Sequence, residues 1–210
     1  MKPVVVFDFD GTLVDSNRLK WNAYFELFPR SPEAKRAISK ALSPIYEKSR
    51  YVIIERLLDE LIRQGLMEEP PGGRHRLLED LTARYGHIVL EGAKQCPEMP
   101  GASELLKELS HLGARLYLSS TTPESPLKEI VAHRGWTGYF QDIFGYPRQK
   151  SDTLRQIMEE NRLPPHALAV VGDGRSDMES AEETGALFIR VQDGKLPKES
   201  ILEFVKQVMK

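Results

Sequence analysis

Cysteine is almost missing from this chain of 210 residues. Cys96 stands alone, so no internal disulfide can form and nothing points to an oxidising compartment. An excess of one charge is missing too. Lys and Arg number 29 against 31 Asp and Glu, a formal charge of −2, which supplies no electrostatic footprint for nucleic acid or for a membrane surface. Long apolar runs are also lacking: Val4-Val5-Val6-Phe7 is cut off by Asp8, too short for a signal peptide or a spanning helix. Internal repeats and low-complexity segments are not found. What is present is 40% hydrophobic residues, enough to bury a core, in a length suited to one domain or one domain with a modest insertion. The expectation is a soluble, cytoplasmic globular protein.

Val4 to Phe7 reads as a strand buried on both faces of a parallel sheet. Similar runs recur at 116–119, 167–171 and 187–191, with a weaker one at 142–144. Helical patterns lie between them, at 103–112, 124–133, 152–161 and 177–184, and a last one covers 198–209. Strands alternating with helices imply βαβ units. The stretch 16–98 differs, because it holds no convincing strand. Ser31-Pro32 and Ser43-Pro44 each look like an N-cap serine followed by proline at the first helical position. Behind the second, Ile54, Leu57, Leu58, Leu61 and Ile62 form a helical stripe that Gly65 stops. Pro70-Pro71-Gly72-Gly73 reads as a loop, and Leu77, Leu78, Leu81 and Tyr85 begin another amphipathic helix. An all-helical insertion of net charge +2 thus interrupts an α/β domain whose remainder carries −4.

Asp8-Phe9-Asp10-Gly11-Thr12 directly follows the first strand. Residues two apart in extended chain point the same way, so both carboxylates can reach one crevice, where a cation such as Mg²⁺ would relieve their repulsion. A hairpin turn at Asp10-Gly11 explains the same residues. Gly172-Asp173-Gly174-Arg175-Ser176-Asp177 follows another strand and opens a helix. Asp173 at the strand tip and Asp177 in the first helical turn could share a metal, or Ser176 and Asp177 could simply cap the helix. Ser119, Ser120, Thr121 and Thr122 could bind an anion or form a plain strand-to-helix turn. Lys150 falls in a polar loop, where a lysine is ordinarily just solvated.

Taken together these segments follow, or nearly follow, separate strands, and in a parallel sheet all such tips open onto one crevice. In that order they resemble the four motifs of the haloacid dehalogenase superfamily. The first motif is similar to 8–15, the second to the hydroxyl of Ser120 within 118–123, the third to Lys150 and the fourth to 172–177. Met99-Pro100-Gly101 resembles the return from the helical cap in the phosphoglycolate phosphatase and β-phosphoglucomutase branch. Two details depart from the family pattern: Ser151 stands where proline usually follows the lysine, and Ser119 competes with Ser120 as the second-motif hydroxyl.

The resemblance implies a Rossmann-like α/β core with a mostly parallel sheet in the order 3-2-1-4-5. The core would comprise 1–15 and 99–210, and 16–98 would form an inserted α-helical cap. It also implies a phosphatase acting on a small phosphorylated metabolite through an aspartyl-phosphate. Asp8 would be the nucleophile and Asp10 the general acid and base. Ser120, Thr121 and Lys150 would hold the phosphate. Mg²⁺ would sit on Asp8, the Asp10 backbone carbonyl and Asp173, with Asp177 binding directly or through water. A sugar phosphomutase uses the same motifs, and a phosphate-binding module that has lost catalysis is a third alternative. Arg50, after Ser49, resembles the cap arginine by which the mutase grips a second phosphate, although it falls within a helical pattern. Lys20, Trp21, Arg74 and His75 are weaker cap candidates. Substrate choice would rest on cap residues, for which there is no readable code.

Overall fold

The computed structural model describes residues 2–45, 49–69 and 73–210 and divides the chain into two compact units. The larger takes Met1–Asn17 and Ala93–Lys210, the smaller Arg18–Gly92.

The larger unit holds a five-stranded sheet: β1 (Val4–Phe7), β2 (Arg115–Pro123), β3 (Phe140–Tyr146), β4 (Leu168–Gly172) and β5 (Leu187–Arg190). All neighbours are parallel and the order is β3-β2-β1-β4-β5, as expected. β1 is central, and all four of its side chains are buried, which is why it reads as an unbroken apolar run. On one sheet face Val4, Val6, Tyr117, Val170, Leu154 and Ala181 share a core. The chain runs outward from β1 through β2 to β3, then crosses back to β4 and β5. This reversal opens a crevice at the carboxyl ends of β1 and β4.

Helices α1 (Asn17–Leu27), α2 (Pro32–Leu42), α3 (Arg50–Arg63) and α4 (Arg74–Gln95) come first in chain order. Among its described residues the smaller unit has helices and connecting turns but no strand, with Leu27, Ile38, Ile54, Leu57, Leu61 and Leu81 in its core. Ser31 caps α2, its hydroxyl accepting the Ala34 N–H at 3.1 Å with proline behind it. Ser43-Pro44 behaves differently from its sequence pattern. Ser43 is already αR, continuing from α2 into a single 3-10 turn at Ser43–Ile45, whereas an N-cap needs extended backbone. Ser49 has that geometry (φ −62°, ψ 148°), and the helix carrying the apolar stripe starts at Arg50. Gly65 (φ +68°) ends it as expected. Of the loop read at 70–73, Pro70, Pro71 and Gly72 lie outside the described residues.

The remaining helices are α5 (Ala102–His111), α6 (Glu124–His133), α7 (Lys150–Asn161), α8 (Arg175–Thr184) and α9 (Lys198–Met209). Among the described residues no helix is long and apolar enough to cross a membrane. The chain returns to the sheet under tight control. Arg134, just past α6, donates to the carbonyls of Ala93 (2.7 Å) and Cys96 (2.5 Å), capping the end of α4. Lys94 pairs with Glu129 of α6 at 2.7 Å. The outgoing strand segment pairs with the returning one through Asp15 N–H to Pro97 and Met99 N–H to Leu13, both 2.9 Å.

Candidate active site

The Asp8 N–H donates to Val171 of β4 at 2.8 Å, extending the β1–β4 ladder by one residue and fixing the first carboxylate at the crevice. Phe9, fully buried, then turns the chain: its carbonyl accepts the N–H groups of Leu13 (2.9 Å) and Val14 (3.2 Å). The turn needs Gly11 at φ +76°, and a Cβ there would lie 2.2 Å from Asp173 Oδ2. Gly11→Ala is therefore expected to destabilise the fold by about 1–2 kcal/mol from the left-handed backbone alone. Displacement of Asp173 adds to that. A melting temperature equal to the parent's would contradict this account.

Lys150 is the first residue of α7 rather than part of a loop, and is only 8% exposed. Its ammonium donates to Asp8 Oδ1 at 2.7 Å and Asp177 Oδ1 at 2.6 Å. Burial works against the charge, but the two carboxylates outweigh it and hold the ammonium above its usual range. Asp177 lies in the first turn of α8 and its Oδ2 accepts the Gly174 N–H at 3.2 Å, so it caps the helix and also faces the crevice. Burial and the nearby Asp8 push its carboxyl up to about 7, against the pull of Lys150. Asp173, at the tip of β4, is likewise raised by burial and by Asp8, with a hydrogen bond from Asn17 opposing.

Carboxylate oxygens of Asp8, Asp173 and Asp177 all lie within 4.8 Å of one another. One ammonium cannot balance three carboxylates, so negative charge is left over in a mostly buried place. A hard divalent cation with oxygen ligands fits that donor set. A cavity of about 560 Å³ borders Asp173, with Gly11, Asn17 and Arg190 among its walls.

The Asp10 carboxylate stands outside the trio. Ser16 donates to its Oδ1 at 2.6 Å and Thr122 to its Oδ2 at 2.8 Å, with Ser120 at 3.4 Å. Hydroxyls donate or accept by rotating, so this cradle can satisfy Asp10 both with and without its proton. The hydroxyl segment gets there through an irregularity in β2. Its register with β3 shifts between Ser119 and Pro123, freeing 120–122 from the ladder. Ser120, and not Ser119, carries the bond towards Asp10, and its Oγ also accepts the Thr122 N–H at 3.1 Å. Thr121 points the other way, is exposed, and lines a cavity of about 160 Å³ with Lys150 and Arg148.

The expected residues Asp8, Asp10, Ser120, Lys150, Asp173 and Asp177 thus meet at one end of the sheet. Thr122, named above only as one of the hydroxyl cluster, joins them, and so do Ser16 and Asn17, which were not singled out. Thr122 was legible, since it lies two residues from Ser120 in extended chain, whereas nothing in the sequence flags Ser16 or Asn17. In the helical unit, Arg50 opens α3 with its guanidinium 5.4 Å from the Tyr85 ring centroid. Arg74 is paired with Asp59 (2.6 Å) and Glu69 (3.3 Å), His75 is a solvated surface residue, and Trp21 packs beside Phe25.

The model of the family described as haloacid dehalogenase-like hydrolase matches residues 5–191. Phosphoglycolate phosphatase of Vibrio vulnificus is 27% identical over 195 residues, covering 87% of this chain and 80% of its own length. Among solved structures, the magnesium-bound YfnB of Bacillus subtilis superposes with a TM-score of 0.72 at 16% identity, covering 98% of this chain and all of that one. A Thermotoga maritima protein assigned as a β-phosphoglucomutase gives 0.70 at 20% identity, with coverages of 99% and 100%. Likeness at these identities establishes the fold.

Proposed function

From a chain that belongs to the haloacid dehalogenase-like hydrolases, we propose a Mg²⁺-dependent phosphatase that cleaves a small organic phosphate monoester through an aspartyl-phosphate, in the manner of a phosphoglycolate phosphatase. The observation that carries this reading is the division of labour between two carboxylates. Asp8 is gripped by Lys150 beside two further acids, while Asp10 is held apart by hydroxyls.

Mg²⁺ on Asp8, Asp173 and the Asp10 backbone carbonyl, with Asp177 direct or through water, would supply neutralisation of the charge between nucleophile and phosphate. Asp8 attacks phosphorus in line, and a carboxylate needs no base to do so. Asp10 gives its proton to the departing alkoxide, then takes one from the water that cleaves the acyl-phosphate, so the enzyme ends as it began. Ser120 is suited to an equatorial oxygen, because its 3.4 Å approach to Asp10 is at the long limit and leaves its proton weakly committed. Lys150 stabilises charge on the transferring group while holding Asp8. Thr121 would contribute through its backbone N–H, since its side chain is turned outward. The helical insertion, 16–98, would serve as the cap that carries substrate choice.

The phosphomutase alternative needs a cationic grip on a second phosphate. Arg50 over Tyr85 is accounted for by packing within the helical unit, which favours hydrolysis. Release of inorganic phosphate from p-nitrophenyl phosphate is expected with Mg²⁺ and should vanish on adding EDTA. Activity unaffected by the chelator would overturn the metal's part, and turnover of a sugar phosphate only with a bisphosphate activator would favour the mutase.

A further inference from the structure

We propose that Asn17 is a positioning residue for the divalent cation, aiming the Asp173 carboxylate by an amide hydrogen bond to its Oδ2. The proposal rests on the reading of Asp8 and Asp173 as metal ligands and extends it to a residue that touches the metal only through another.

The case begins with how the three carboxylates are partnered. The two ion pairs of Lys150 go to Asp8 and Asp177. Asp173 receives a neutral donor instead: Asn17 Nδ2 lies 3.0 Å from its Oδ2. A neutral amide fixes the carboxylate's rotation without cancelling its charge, as does the bond from its own backbone N–H, and a carboxylate has lone pairs to spare beyond those two. An ammonium or guanidinium at position 17 would hold Asp173 equally well but would repel the incoming cation. Hydrogen bonds to ligating carboxylates orient them generally, and removing one typically weakens metal binding by roughly 10- to 100-fold.

Gly11 supplies a second, independent observation. A Cβ at that position would stand 2.2 Å from Asp173 Oδ2 and 2.4 Å from Asn17 Nδ2. The amide–carboxylate pair therefore rests against bare backbone, in a turn closed by the Gly11 N–H to Val14 at 2.9 Å. The space serves both partners of the bond and not Asp173 alone. Asn17 is also well placed to hold a fixed direction, because it is the first residue of α1. Its neighbour Ser16 grips Asp10 at 2.6 Å. One dipeptide thus holds the general acid with one residue and a metal carboxylate with the next.

The test is calorimetric titration of the metal-free full-length protein with Mg²⁺, alongside thermal melts in EDTA. Asn17→Ala is expected to raise the Kd for Mg²⁺ about tenfold while leaving the metal-free melting temperature unchanged. Asn17→Gln, which keeps an amide donor, is expected to recover part of the loss. Unaltered affinity in Asn17→Ala overturns the proposal. So does equal weakening in both variants, or a weakening matched by a lower metal-free melting temperature. If the parent protein itself binds no Mg²⁺, the reading of the carboxylates as ligands fails first, an outcome distinct from normal parent binding with no effect at Asn17.

Discussion

Asp8→Asn is expected to lower Mg²⁺-dependent hydrolysis of p-nitrophenyl phosphate on the order of 10⁴-fold or more, the scale seen when a covalent nucleophile is removed. The amide is nearly the same size as the carboxylate it replaces, so the crevice keeps its shape, but its nitrogen cannot form the acyl-phosphate. The variant should stay folded. Asp8 stands among like charges, and losing one of them relieves repulsion with Asp173 and Asp177 even as Lys150 loses a partner. A melting curve close to the parent's, taken beside the assay, separates chemistry from unfolding. Activity within tenfold of the parent in a folded Asp8→Asn protein would remove Asp8 as nucleophile and with it the aspartyl-phosphate.

Lys150→Met should damage both stability and activity. Its ammonium is buried between two carboxylates, and deleting one partner of a buried charge pair typically destabilises by about 3–5 kcal/mol. Three carboxylates would then face one another with no cation among them. Two treatments are expected to restore stability. Mg²⁺ would replace the missing positive charge. Lower pH would act through Asp177, already raised to about 7 in the parent. A group whose pKa is higher folded than unfolded binds extra protons in the folded state, so stability is gained as pH falls through the folded value and lost as it rises. Denaturant titrations at neutral and mildly acid pH, with and without Mg²⁺, read all of this. A Lys150→Met protein as stable as the parent at neutral pH without metal would show that the ammonium is not needed to hold the acids together.

Local pattern revealed much of this protein because much of it is locally determined. The apolar run at β1, the stripe of α3 and the span of α9 each carry their own periodicity, and α6 starts directly after Pro123 where proline punctuates the chain. β2 runs four residues beyond its apolar signal, because 120–122 carry hydroxyls, Pro123 follows them, and their place depends on a neighbouring strand. Lys150 shows the same limit more sharply. A lysine in a polar stretch looks solvated, and its burial follows only from carboxylates contributed 142 residues before it and 27 after it. Family resemblance bridged those distances for Asp8, Lys150, Asp173 and Asp177. It offered nothing for Ser16 or Asn17, whose partners are fixed by how the chain leaves the first turn. Ser43-Pro44 failed for a related reason: the dipeptide matches a cap, but the backbone there is still finishing α2.

The central position of β1 has a consequence for the order of folding. This strand leaves the ribosome ahead of both its neighbours, which begin only at Arg115 and Leu168. The helical unit draws on one continuous stretch, Arg18–Gly92, and can consolidate while the strand waits. During refolding, pulsed hydrogen exchange should therefore protect amides of α3 before those of Val5 and Val6; simultaneous protection would argue against this sequence of events. A partly synthesised chain would trail a finished helical segment behind an unpaired strand, chemically silent until α8 has emerged.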